Sequence, residues 1–226
     1  MSTDDAGRAR QTPASPGAVR IDHTTTEGTF SLDGGTWEVE NNVWVVGDDT
    51  ECVVIDAPHD AAPILDLVGD RRLTHVLLTH AHDDHVTVVP ELLEAHPDAV
   101  VALHPDDRVL WDQTHPDLAP TRDLADGDVV HVGDVELAVL HTPGHAPGAC
   151  CFYAADLGVV FTGDTLFQGG PGATGRSFSD FPTIVESIKE QLLSLPPETV
   201  VLTGHGDSTT IGAEKDDVEE WVRRGH

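Results

Sequence analysis

Basic residues are scarce in this chain. Twelve Lys and Arg stand against forty Asp and Glu, giving a formal charge of −28, and Lys189 and Lys215 are its only lysines. A surface so rich in carboxylates repels phosphate backbones and anionic lipid, which excludes nucleic acid and membrane as expected partners. Long apolar runs are missing too; none approaches the ~20 residues of a membrane span. Cysteine is sparse, and its count of three is odd for a disulfide framework. Cys52 sits in the buried-looking run 51–56, while Cys150 and Cys151 are neighbours in another strand, where adjacent side chains face opposite ways. All three read as reduced packing residues of a cytoplasmic protein. From Met1 to about Val19 no apolar core of a signal peptide is present, and Ser, Pro, Ala and Asp dominate. The expectation is a flexible tail over residues 1–18 and one domain over 19–226, long enough to bury a real core.

Histidine, by contrast, is abundant, with fourteen in the chain. The densest stretch is Thr79-His80-Ala81-His82-Asp83-Asp84-His85, directly after the apolar run Val76-Leu77-Leu78. On a helix, residues two apart point in nearly opposite directions, so His80 and His82 would not converge there on one ion. A loop leaving a buried strand allows convergence, with Asp84 and His85 turning away beside a second ion. Imidazole and carboxylate suit zinc, and also iron, nickel or manganese.

Periodicity places this loop in an α/β chain. Short strands are expected at 29–32, 36–40 and 42–46, then at 52–56, 74–79, 99–103, 128–132, 135–141, 150–154, 159–162 and 199–202. Helices are expected over 61–68, from the histidine loop to about His96, as a turn at 105–111, from Phe181 or Thr183 to Leu193, and from about Gly212 to Arg223. Several strands end in a polar residue beside a turn: Asp56-Ala-Pro, Thr79-His80, His141-Thr-Pro-Gly-His145, Thr162-Gly-Asp164 and Thr203-Gly-His205. Loops at strand ends are a usual place for an active site, and this recurrence argues for one site assembled from five of them. His145, Asp164 and His205 thereby join His80, His82, Asp84 and His85 as seven candidate metal ligands. The glycine-rich stretch 169–175 lacks a Gly-Lys-Ser/Thr ending and so is no nucleotide loop. With Phe167, Arg176 and Phe178 it reads as a wall of the pocket, where Arg176 offers two parallel donors to a substrate carboxylate or a salt bridge to an acid. His59 and His141 read as structural or rim residues near the site.

With these motifs in this order, the chain resembles the metallo-β-lactamase-fold hydrolases, and within them the glyoxalase II group of hydroxyacyl-thiol thioesterases, from roughly Asn41 onward. The resemblance implies an α/β fold, a four-layer αββα sandwich with a dinuclear site at one edge. It implies two divalent ions, zinc first, with iron or manganese as alternatives. His80, His82 and His145 would hold one, Asp84, His85 and His205 the other, and Asp164 would bridge them. Asp84 and Asp164 are thus the expected catalytic carboxylates, and Asp56 the acid that steadies the histidine loop. The implied reaction is attack of a metal-bridging hydroxide on the thioester of a small thiol, with the ions ~3.5 Å apart. Twenty-one residues follow His205, so the resemblance does not extend to the C-terminal helical domain that binds glutathione in full-length glyoxalase II. The resemblance therefore leaves the carrier thiol open; the lysine-poor, acid-rich composition resembles actinobacterial relatives, which implies mycothiol as the alternative to glutathione. The rival within the fold is a mononuclear iron persulfide dioxygenase, which uses only part of the ligand set; another small-molecule hydrolase of the fold is a further alternative.

Overall fold

The computed structural model describes residues 17–225, so the first sixteen residues of the expected tail lie outside the described residues. The fold begins with a hairpin of two thirteen-residue strands, β1 (Arg20–Leu32) and β2 (Gly35–Gly47). Asp33 (φ 53°) and Gly34 (φ 76°) turn it, both in the left-handed region that a tight hairpin requires. Three short strands were the expectation here. The difference arises because β1 is a sheet edge with much of its surface exposed, so residues 20–28 are polar but for Ile21 and Gly28 and give no apolar periodicity. Threonines 24–26 favour extended backbone without one.

The chain continues through β3 (Glu51–Ile55), α1 (Ala61–Val68), β4 (Arg72–Leu77), α2 (Asp83–Val86), α3 (Val89–Ala95), β5 (Val100–Leu103), α4 (Arg108–Thr114) and β6 (Arg122–Asp123). These complete a six-stranded sheet in the order β1 to β6, with β3 to β6 parallel. Asp60 caps α1 by accepting from Ala62 N–H at 2.9 Å. The single helix expected to reach His96 is two, α2 and α3, with Pro90 in the first turn of the second.

A second sheet follows: β7 (Val129–Val132), β8 (Val135–His141), β9 (Cys150–Ala154) and β10 (Val159–Gly163). A small ribbon, β11 (Leu166–Phe167) with β12 (Gly170–Pro171), precedes α5 (Phe181–Ser187), which runs on as a π-helical turn over Ile188–Leu192. Then come β13 (Val200–Thr203), β14 (Thr209–Thr210), α6 (Ile211–Glu214) and α7 (Val218–Arg224). The expected acidic helix is thus broken in two, at the 3-10 turn Lys215–Asp217. Strand order in this sheet is β14-β13-β10-β9-β8-β7.

The alternation of strand side chains builds the layers. Val53, Ile55, Leu77 and Ala102 face inward and meet Leu137, Val139, Phe152 and Phe161 of the second sheet. Cys52 and Val54 face outward, under Ile64, Leu92 and Trp111 of the first helix layer. On the second sheet Cys150 joins the inner core, while Cys151 packs with Ile184, Ile188 and Trp221 outside. The result is an αββα sandwich. Each fully buried aliphatic side chain contributes about 1.5–3 kcal/mol to it.

Direction matters for the site. β3 and β4 run parallel, and β8, β10 and β13 share one direction because β9 reverses between β8 and β10. Their C-terminal ends meet at one edge. There Cys150 N–H donates to Thr79 O at 2.7 Å and Asn42 N–H to Gly204 O at 2.8 Å, tying the two sheets together. No helix among the described residues is long and apolar enough to cross a membrane.

Candidate metal centre

The loop after β4 is shaped by Asp56, which follows β3 with φ 61°. Its carboxylate accepts from Thr79 N–H at 2.8 Å and Thr79 Oγ at 2.7 Å, turning the chain so that His80 and His82 point the same way. His80 Nε2 lies 3.0 Å from His82 Nδ1, and His145 Nε2 lies 3.1 Å from that same nitrogen. Two nitrogens each ~2.1 Å from a zinc ion at a tetrahedral angle would sit about 3.4 Å apart. The three imidazoles therefore converge at the spacing a cation requires.

The second cluster forms beside the first, on α2 and the turn after β13. His205 Nε2 is 3.3 Å from Asp84 Oδ2, and His85 Nε2 is 3.7 Å from the same oxygen. Asp164, at the end of β10, stands between the clusters. Its Oδ2 is 3.4 Å from His205 Nε2 and 3.6 Å from His145 Nε2, while its Oδ1 is 3.4 Å from His85 Nε2. That Oδ1 is buried without a hydrogen-bond partner. An orphaned carboxylate oxygen inside a ring of imidazoles is costly unless a cation faces it. The donor set thus fits one or two divalent ions of borderline softness. Gly204 makes the approach possible, since a Cβ there would come within 2.5 Å of Asp164 Oδ1.

Four of the five imidazoles are also held on their far side, His80 Nδ1 lying 3.1 Å from Thr79 Oγ, whereas His82 Nε2 is buried without a partner. Asp56 Oδ2 is 2.8 Å from His85 Nδ1; His145 Nδ1 donates to Ala173 O at 2.8 Å, and His205 Nδ1 to Glu40 O at 2.7 Å. Such partners fix the tautomer and the ring plane of a ligand histidine. The electrostatics of the two clusters differ. Burial and neighbouring imidazoles push His80 well below the usual histidine range, and His82 down to about 3. Burial opposes protonation of His205 as well, but Asp164 and Asp84 outweigh it and raise this group to about 10. His85 is raised likewise, against burial, by Asp84, Asp164 and Asp56. Burial would lift Asp164, yet His205 and His85 hold it well below the carboxylate range.

All seven candidate ligands and Asp56 are brought together. Two participants were not among the residues expected from the sequence. Asn41, fully buried in β2, donates through Nδ2 to Asp84 O at 2.8 Å and lies 3.3 Å from Asp84 Oδ2. A polar pair, Asn41-Asn42, directly before the apolar run Val43-Trp44-Val45-Val46 was the signal available. Asp107, before α4, accepts from Ala81 N–H within the histidine loop, and nothing in its sequence context marks it.

A cavity of about 330 Å³ opens over the clusters, walled by Phe30, Val39, Glu40, Ala173 and Arg176. The Arg176 guanidinium carbon lies over Trp37, 4.1 Å from the ring centre, and 5.4 Å from that of Phe30. The other expected pocket residues do not line this cavity. Phe167 keeps its ring 6.2 Å from that of His205, while Phe178 is 43% exposed. His59, with φ 50°, donates to Asn41 Oδ1 at 2.8 Å, so it touches the site through Asn41. A separate group, His104, Asp106 and His141, has its two rings stacked at 4.0 Å and 8°. Parallel rings cannot aim their in-plane lone pairs at one point, so this group is a packed pair.

The family model described as the metallo-beta-lactamase superfamily matches residues 36–205. The probable metallo-hydrolase YqgX of Bacillus subtilis is 34% identical over 192 residues, covering 79% of this chain and 90% of its own. The hydroxyacylglutathione hydrolase GloC of Haemophilus influenzae is 31% identical over 183 residues, covering 74% and 86%. Among solved structures, TTHA1623 in a di-iron-bound form superposes with a TM-score of 0.70 at 36% identity, covering 78% of this chain and 93% of that one.

Proposed function

The chain belongs to the metallo-beta-lactamase superfamily, and from that premise we propose that it is a metal-dependent hydrolase that cleaves the thioester of a small thiol, of the glutathione or mycothiol type. The observation that carries the reading is Asp164, whose two oxygens face both clusters and so suit a carboxylate shared between two ions. The similarity to a hydroxyacylglutathione hydrolase supports the thioester as substrate class. Zinc is the proposed metal, since tetrahedral nitrogen sites suit it; the di-iron form of a relative makes iron the alternative.

When bound, such ions supply an activated water near neutral pH and a Lewis acid for the acyl oxygen. The protein's own residues do the rest. His80, His82 and His145 present neutral nitrogens on one side; Asp84, His85 and His205 carry the carboxylate-rich side. Asp56 holds His85 so that its Nε2 faces the centre. A thiol is acidic enough to leave as the thiolate, so no strong general acid is required. Arg176, held on Trp37 at the cavity wall, is placed to receive an anionic end of the carrier.

A hydrolysis screen tests the reading: acyl-glutathione and acyl-mycothiol thioesters, offered to protein of measured metal content. Turnover of one class, lost in Asp164→Asn, is the expected result. Protein loaded with two ions per chain that hydrolyses no thioester would contradict it.

A further inference from the structure

Asp56 serves both halves of the centre, through Thr79 beside His80 and through His85. Asn41 holds the half that contains Asp84. Asp107 contacts only the loops of the other half. It is fully buried at the junction between the turn Pro105–Asp107 and α4, more than twenty residues from either loop it touches. One oxygen, Oδ2, accepts from Ala81 N–H at 2.7 Å, and the other, Oδ1, accepts from Gly148 N–H. Ala81 is the residue between His80 and His82, and Gly148 lies three residues beyond His145. The carboxylate therefore spans the two loops that supply the three convergent imidazoles.

The contact at Gly148 leaves no slack. A Cβ on that residue would come within 2.8 Å of Asp107 N and 3.0 Å of Asp107 Cβ. The far end of the same turn is fixed as well, by Asp107 N–H to His104 O at 3.1 Å and by Asp106 N–H to His104 Nδ1 at 3.3 Å. Neither oxygen of Asp107 faces the cavity, so this residue acts on chemistry only through the loops it joins.

We infer that Asp107 is a positioning residue for the three-histidine half of the centre, setting the distance of the His80–His82 pair from His145 by clamping one backbone N–H of each loop. The inference rests on the metal-centre reading above and adds which side chain tunes which half. An isosteric amide is the sharpest probe. Asn offers one acceptor, and its NH₂ would meet the second N–H donor to donor, so only one loop stays held.

The experiment is a titration of metal-free full-length protein with Co(II), followed by its visible absorption and by metal content, for the wild type, Asp107→Asn and Gly148→Ala. The wild type should take up two equivalents. In both variants one equivalent should weaken by about 10- to 100-fold, the range seen when a partner of a metal ligand is removed. The other should remain, with the four- or five-coordinate spectrum of the weakened site changed. The second variant keeps the carboxylate and moves the loop, so it carries the test should Asp107→Asn not accumulate folded. Wild-type affinity at both equivalents, or equal loss of both, would overturn the inference. A wild type that binds fewer than two equivalents would instead count against the two-ion reading itself.

Discussion

At the scale of single residues the account turns on seven side chains and what each carries. His82→Ala and Asp164→Asn should each lower kcat by about 100-fold or more, the worth of several kcal/mol of lost charge stabilisation, and should reduce bound metal. Asp84→Ala should empty its own half first, as metal analysis would show. The proton balance gives a second prediction. Without metal, His205 at about 10 and His85, also raised, hold their protons at neutral pH. A raised histidine pKa stabilises the metal-free fold below ~6.5 and loses that contribution as pH rises through the folded value. Metal must displace those protons, so apparent affinity should rise with pH. Calorimetry in buffers of different ionisation heat should show protons released on loading; uptake without release would contradict the assignment. The histidine cluster was legible in the sequence because its members are adjacent and chemically distinctive. Asn41 and Asp107 were not, because each acts alone and reaches its partners only through tertiary folding.

Among the elements, caps and close approaches decide how well the scaffold holds the site. Asp180 caps α5, accepting from Thr183 N–H at 2.9 Å and Thr183 Oγ at 2.6 Å, while its own N–H donates to Gly144 O at 2.7 Å. Asp180→Ala should therefore cost ~1 kcal/mol in chemical denaturation, with metal content intact. Gly204→Ala should do the opposite. The added methyl group would press on Asp164 Oδ1 and on His85 Cε1, at 2.9 Å, so metal should be lost before stability is. Runs such as Cys52–Ile55 and α1 were legible because one period dominates each. The length of β1 was hidden by its mostly polar, exposed surface, whereas the break after α2 had a local mark in Pro90, which stands in the first turn of α3.

For the whole molecule, a charge of −28 on 226 residues sets up self-repulsion that salt screens. Thermal stability should rise with ionic strength, as a melting series in NaCl would show. The cysteines add a check on the packing. Burial pushes Cys52 and Cys151 up to about 11 and raises Cys150 well above the ordinary thiol range, so none should react with a disulfide reagent until the chain unfolds. The central claim is a carboxylate-bridged pair of ions that hydrolyses a thioester. Metal content and turnover, measured on the same fully active sample with and without oxygen, test it most directly. Two ions per chain with undiminished thioester hydrolysis is the predicted result; one iron per chain, with activity that consumes oxygen, would contradict it.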